Sequence, residues 1–80
     1  MIRPRELIEQ LRKTPFFPFT IVFNSGTTVE VRHPDMVRVG RSTFTVFRPD
    51  NENTELYDSF STFSHMLVER IEHREPSDVS

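Results

Sequence analysis

The stretch from Pro15 to Phe47 constrains the fold more than any other part of the chain, because short apolar alternations follow one another with turn residues between them. Phe19 to Phe23 has a period of two, with Phe19, Ile21 and Phe23 on one side and Thr20 and Val22 on the other. Such alternation predicts a half-buried strand. Asn24-Ser25-Gly26 is turn chemistry, with Gly26 able to take a positive φ. From Thr28 to Arg32 the alternation resumes, placing Val29 and Val31 inward and Glu30 outward, which completes a hairpin. Pro34, in His33-Pro34-Asp35, has no N–H to give and breaks the ladder. Val37 and Val39 face inward on a short strand, and Gly40-Arg41-Ser42 turns the chain back. Phe44 and Val46 face inward on the next strand, with Thr43, Thr45 and Phe47 on its other side.

The flanks are less uniform. Pro4 to Lys13 reads as a short amphipathic helix: Pro4 suits the first turn, and Leu7, Ile8 and Leu11 share a face. Arg5–Glu9 and Glu9–Lys13 are i,i+4 charge pairs. Pro15 stops the helix by pushing Thr14 out of the α region. Pro49 to Asn53 is a polar, acidic loop. Beyond it two readings compete. Phe60, Phe63, Leu67 and Ile71 fit a helix beginning near Ser59. The same residues fit a strand from Leu56 to Phe63, a turn at Ser64-His65-Met66 and a strand from Val68 to Glu72. Arg74 to Ser80, polar and containing Pro76, reads as a disordered C-terminal tail, which leaves residues 1–73 as a single domain.

Composition agrees with strands. Alanine is absent while Val, Thr and Phe are plentiful, a bias against a helical bundle. The chain has 80 residues and no cysteine, so no disulfide supports it and its eight phenylalanines must supply most of the core. Self-association is the usual further support for so short a domain. Ten Lys and Arg against twelve Asp and Glu give a net charge of −2, so the molecule as a whole has no attractive field for nucleic acid or an anionic membrane. No apolar run approaches the roughly 20 residues of a membrane span. Met1 to Leu7 has no signal-peptide apolar region, so the expected location is the cytoplasm.

No catalytic constellation is present. The chain has no cysteine nucleophile, no Gly-x-Ser-x-Gly elbow and no glycine-rich phosphate loop. His33, Asp35, His65 and His73 have no spacing diagnostic of a metal site, and they read as turn and surface residues. No enzymatic activity, metal or cofactor is therefore expected. Two binding surfaces remain. The Pro15–Phe19 segment sets Phe16 and Phe17 between prolines, as a ridge for a protein partner or a second copy, or as a plug between helix and sheet. The alternative is nucleic acid. Arg32, Arg38, Arg41 and Arg48 face a single acid, Asp35, over that stretch, with Phe44 and Phe47 interleaved. Arginines beside aromatics on a sheet hold phosphates while bases stack. The plainer reading of those arginines is a solvated face with cross-strand ion pairs.

Taken in order, the helix, the Pro15–Phe19 PFFPF segment with the Ser25-Gly26 hairpin, the run from Val29 to Ser42 (VEVRHPDMVRVGRS) and the closing Arg70-Ile71-Glu72 resemble a family of short, uncharacterised bacterial proteins. The resemblance spans roughly residues 5 to 72 and brings no catalytic or binding residues with it. It implies a closing strand, short turn and final strand, as in small SH3-like or Sm-like barrels, and so favours strand–turn–strand at the C-terminal end. SFSTFSHMLVE is more polar and helix-compatible than that pattern. The expected fold is α+β: an N-terminal helix packed on a bent, five- to six-stranded antiparallel sheet forming a small barrel or roll. The expected function is a non-enzymatic interaction or regulatory module that self-associates, with RNA binding as the alternative.

Overall fold

Pro4 opens the first element, helix α1 (Pro4–Arg12), in a computed structural model that describes residues 1–49 and 57–73. The Glu6 carboxylate accepts a hydrogen bond from the Arg3 backbone N–H at 3.0 Å, satisfying a donor that the helix start would otherwise leave open. Leu7 is the buried residue of the helix, and Leu11 packs beside the same core. The helix ends at Arg12, because Lys13 is already extended (φ −63°, ψ 141°). The expected end at Lys13 is one residue long. Thr14 and Pro15 are joined by a cis peptide.

The six strands of the described residues are β1 (Phe19–Phe23), β2 (Thr28–Val31), β3 (Val37–Val39), β4 (Thr43–Pro49), β5 (Tyr57–Ser64) and β6 (Val68–His73). They form two antiparallel three-stranded sheets, ordered β2-β1-β6 and β3-β4-β5. The predicted α+β class and the strand–turn–strand ending hold. A single bent sheet closing towards a barrel is not seen, since among the described residues hydrogen-bonded ladders join strands only within each sheet. Each crossing between the sheets passes through a 3-10 turn, Pro34–Met36 or His65–Leu67. These turns replace ladder bonds by local ones. In the first, the Val37 N–H donates to the Pro34 carbonyl; in the second, the Val68 N–H donates to the His65 carbonyl. The acidic loop expected beyond Pro49 and the tail from residue 74 lie outside the described residues.

The core lies between the sheets. Phe19, Ile21, Phe23, Val31, Val37, Phe44, Val46 and Val68 are buried in it with Ile2, Leu7 and Met36. Full burial of one such side chain stabilises by about 1.5–3 kcal/mol. Phe23, Phe44 and Phe63 form its aromatic centre, with centroid separations of 4.6 to 6.2 Å. Val22 departs from the expected pattern. It points to the opposite side of β1, outside the core cluster, yet is only 6% exposed. There it lies in register between Thr28 and Arg70, on a central strand covered from both neighbours.

The β1–β2 hairpin turns as its sequence requires. Gly26 has φ +94°, and its N–H donates to the Phe23 carbonyl at 2.9 Å. A Cβ placed there meets no atom within 4 Å, so substitution acts through the backbone alone. Gly26→Ala is expected to lower stability by about 1 kcal/mol or somewhat more, read as a reduced urea midpoint at unchanged slope. An unaltered midpoint would show that the turn adopts another conformation in solution.

Candidate functional site

The two sheets present different outer faces. On β2-β1-β6, cross-strand rows bring together Glu30, Thr20 and Glu72, then Thr28, Val22 and Arg70. Each outward glutamate has an arginine: Arg32 reaches Glu30 at 3.2 Å, and Arg70 reaches Glu72 at 2.7 Å and Glu69 at 2.6 Å. The hydrogen bond and charge of Glu72, followed by those of Glu69, push the Arg70 pKa above its ordinary value. This face is charged, internally paired and exposed, so it contributes little net stability.

The outer face of β3-β4-β5 has a different chemistry. Alternation points Val37, Val39, Phe44, Val46 and Phe63 to the core, and turns Arg38, Thr45, Phe47, Phe60 and Thr62 outward. Arg38, Thr45 and Thr62 form one cross-strand row, with the two threonine hydroxyls 2.9 Å apart. The next row pairs Phe47 directly with Phe60, at a ring separation of 5.7 Å and a tilt of 41°. Phe47 is half-buried, whereas Phe60 is 66% exposed. Among the described residues this face holds an aromatic pair beside two hydrogen-bonded threonines, with one arginine at the margin.

The structure divides the arginines singled out in the sequence. Arg38 shares this face with Phe47. Arg32 follows β2 and is engaged by Glu30. Arg48 has the opposite parity along β4 and donates to the Ser61 hydroxyl at 2.9 Å. Arg41 is exposed in the turn between β3 and β4. Phe44, the other aromatic considered for stacking, is in the core at 1% exposure. The paired phenylalanines divide as well. Phe16 packs against the core with its ring 6.0 Å from that of Phe19, and Phe17 is 41% exposed.

The histidines do not converge, and among the described residues no group of three His, Cys, Asp or Glu side chains is placed to hold a metal. His33 is exposed before the first 3-10 turn, and His73 is exposed with Nε2 2.5 Å from Gln10 Oε1. His65 corrects the expectation of surface histidines, since it is 4% exposed. Its Nε2 lies 2.9 Å from the Gly40 carbonyl and its ring 5.4 Å from that of Phe44. The turn position was legible, but the long-range partner that buries the ring was not.

Concave surfaces include a groove of about 430 Å³ between the start of the chain, α1 and β6, with Glu6, Glu9, Glu69, Arg70 and His73 in its lining. An apolar dimple of about 210 Å³ is lined by Phe23, Asn24, Ser25, Thr27, Phe63 and Leu67, below the roughly 300–1,000 Å³ of small-molecule sites. A groove of about 630 Å³ is lined by Arg5, Ile8, Glu9, Arg12 and Lys13 alone, on and just past one helix. No helix among the described residues is long and apolar enough to cross a membrane. Comparison with known families, curated proteins and solved structures finds no match to this chain.

Phe60 and Thr62 were missed as surface residues by sequence reasoning. The available signal was the period of two from Ser59 to Phe63, which sends Phe60 and Phe63 to opposite faces. A helical reading of the same segment merges them into one stripe.

Proposed function

We propose that this chain is a non-enzymatic interaction module that docks a polypeptide on the outer face of β3-β4-β5. One observation carries the reading: Phe60 stands two-thirds exposed beside Phe47 on a sheet face where Arg38 is the one charged side chain among the described residues, while the opposite sheet face is laced with ion pairs. A large exposed aromatic on a weakly charged surface is the kind of anchor that protein interfaces bury. The return of β5 through a short turn into β6 supports classing the domain with small SH3-like rolls, an analogy of fold alone.

Affinity capture with the wild-type chain, Phe60→Ser and Phe17→Ser separates this face from the Pro15–Phe19 ridge. Loss of bound protein with Phe60→Ser and retention with Phe17→Ser is the expected result. The reverse pattern would move the docking surface to the ridge that carries Phe16 and Phe17.

RNA is the second reading, favoured by the placement of Arg38 on the same face as Phe47 and Phe60. It requires binding to labelled single-stranded RNA that weakens with salt at a slope of about 0.7 per phosphate contact. A titration unaffected by Arg38→Glu and Arg41→Glu would eliminate it.

A further inference from the structure

The occupant of this face follows from comparing the four edge strands. Sheet order leaves β2 and β6 at the margins of one sheet, and β3 and β5 at those of the other. Proteins protect strand edges by keeping them short or charged. The first of these, β2, has four residues and carries Glu30 outward; β3 has three residues and carries Arg38. On β6, Glu69, Arg70 and Glu72 form ion pairs. The remaining edge, β5, is the longest at eight residues; its one charged residue, Asp58, lies beside the Tyr57 end, and the six residues Ser59-Phe60-Ser61-Thr62-Phe63-Ser64 contain neither a charge nor a proline. Among the described residues it is the edge with the longest uncharged run, and it carries the most exposed phenylalanine, Phe60.

We infer that β5 pairs antiparallel with β5 of a second copy of this chain about a two-fold axis, joining two three-stranded sheets into one of six strands. This inference rests on the reading of the β3-β4-β5 face as an interaction surface. Self-pairing fits the chemistry of the strand. Residues directly opposite in an antiparallel pair share a face, so outward Phe60 and Thr62 meet outward residues of the second copy, with no like charges opposed along Ser59–Ser64. A register centred on Phe60 extends the Phe47–Phe60 row into four rings. Glu30 on β2, or Arg70 on β6, would meet its own sign in a register centred on it. Symmetry also limits growth. The two-fold consumes the unprotected edge of both copies and leaves the three-residue β3 edges at the ends, so assembly stops at two.

The test is sedimentation velocity of the full chain over a concentration series, for wild type, Phe60→Glu, Phe60→Lys and an equimolar mixture of the two variants. Wild type is expected at the mass of two chains at high concentration, dissociating on dilution. Each variant alone is expected to raise the dissociation constant at least about tenfold by setting like charges side by side, and the mixture to restore association. Hydrogen exchange on wild type reads the same edge without substitution: the amides of Ser59–Ser64 are expected to exchange more slowly at high concentration than at low.

A wild type that stays monomeric, or a dimer indifferent to both charge variants with concentration-independent exchange at β5, overturns the inference. Should a monomeric wild type still bind another protein in a Phe60-dependent way, the second copy is rejected and the interaction face retained. A monomer with no Phe60-dependent binding rejects both.

Discussion

Phe44→Ala is expected to leave the chain largely unfolded in mild urea, while Phe60→Ala, on the neighbouring strand three positions from the partner of Phe44, is expected to be nearly silent. Both are phenylalanines of the β4–β5 pairing. Phe44 is 1% exposed, and its ring lies 6.2 Å from Phe23, 5.6 Å from Phe63 and 5.4 Å from His65. It therefore joins the hairpin sheet, its own sheet and the second 3-10 turn. Truncating such a residue costs about 3–5 kcal/mol, from lost transfer energy and the cavity left behind. A domain of this size has only about 4–12 kcal/mol of total stability, so the loss is a large share of it. Phe60 is already 66% exposed, and its removal leaves no cavity, only a ring contact with Phe47. A change within about 1 kcal/mol follows. Urea titrations followed by far-ultraviolet circular dichroism decide the matter. Equal losses for the two variants would mean that β5 lies in the opposite register, with Phe60 rather than Phe63 facing the core.

That comparison marks where sequence reading was strong. The β1–β2 hairpin was legible because its determinants are local: apolar alternation on both sides of a Gly26 turn. Val37, Val39, Phe44 and Val46 were assigned to the correct side for the same reason. Helix α1 was legible from Pro4 and the Leu7–Leu11 spacing. Contacts between distant segments were not. The pairing of β1 with β6 joins Phe19 to His73 and Ile21 to Ile71, and no local pattern requires it. The division into two sheets depends on two 3-10 turns. Pro34 announces the first, but the second begins at an ordinary Ser64 whose hydroxyl accepts from the Met66 N–H at 3.1 Å. The candidate face depended on the same missing information. Arg32, Arg38, Arg41 and Arg48 are neighbours in sequence, but strand parity and the sheet crossing send them to different places. The favoured strand over Leu56–Phe63 already separates Phe60 from Phe63, but no local pattern says which of the two faces the core.

His65→Ala is the second large effect expected, and His65→Phe tells which part of the histidine produces it. The turn that holds His65 is bonded to three separate segments. The Ile2 N–H donates to the His65 carbonyl at 3.1 Å, the His65 N–H donates to the Ser42 carbonyl at 3.2 Å, and the Asn24 N–H donates to the Leu67 carbonyl at 2.9 Å. The ring adds a fourth tie, from Nε2 to the Gly40 carbonyl at 2.9 Å. A carbonyl only accepts, so Nε2 is the donor of this hydrogen bond, and the ring's other nitrogen is Nδ1. That Nδ1 is buried and has no hydrogen-bond partner among the described residues.

Alanine removes the ring from Phe44, empties its volume and leaves the Gly40 carbonyl without its donor, a combined cost of about 2–4 kcal/mol. Phenylalanine keeps most of the volume and removes the unpartnered Nδ1, but still deprives Gly40 of its donor. Its expected cost is about 1–2 kcal/mol, below that of alanine and above zero. The order wild type, phenylalanine, alanine in urea midpoint would assign His65 a directional role, fastening the β3–β4 turn to the second crossing between the sheets. A phenylalanine variant as stable as wild type would reduce the histidine to a space-filling ring, and the unpartnered nitrogen would then offset whatever the Gly40 hydrogen bond contributes.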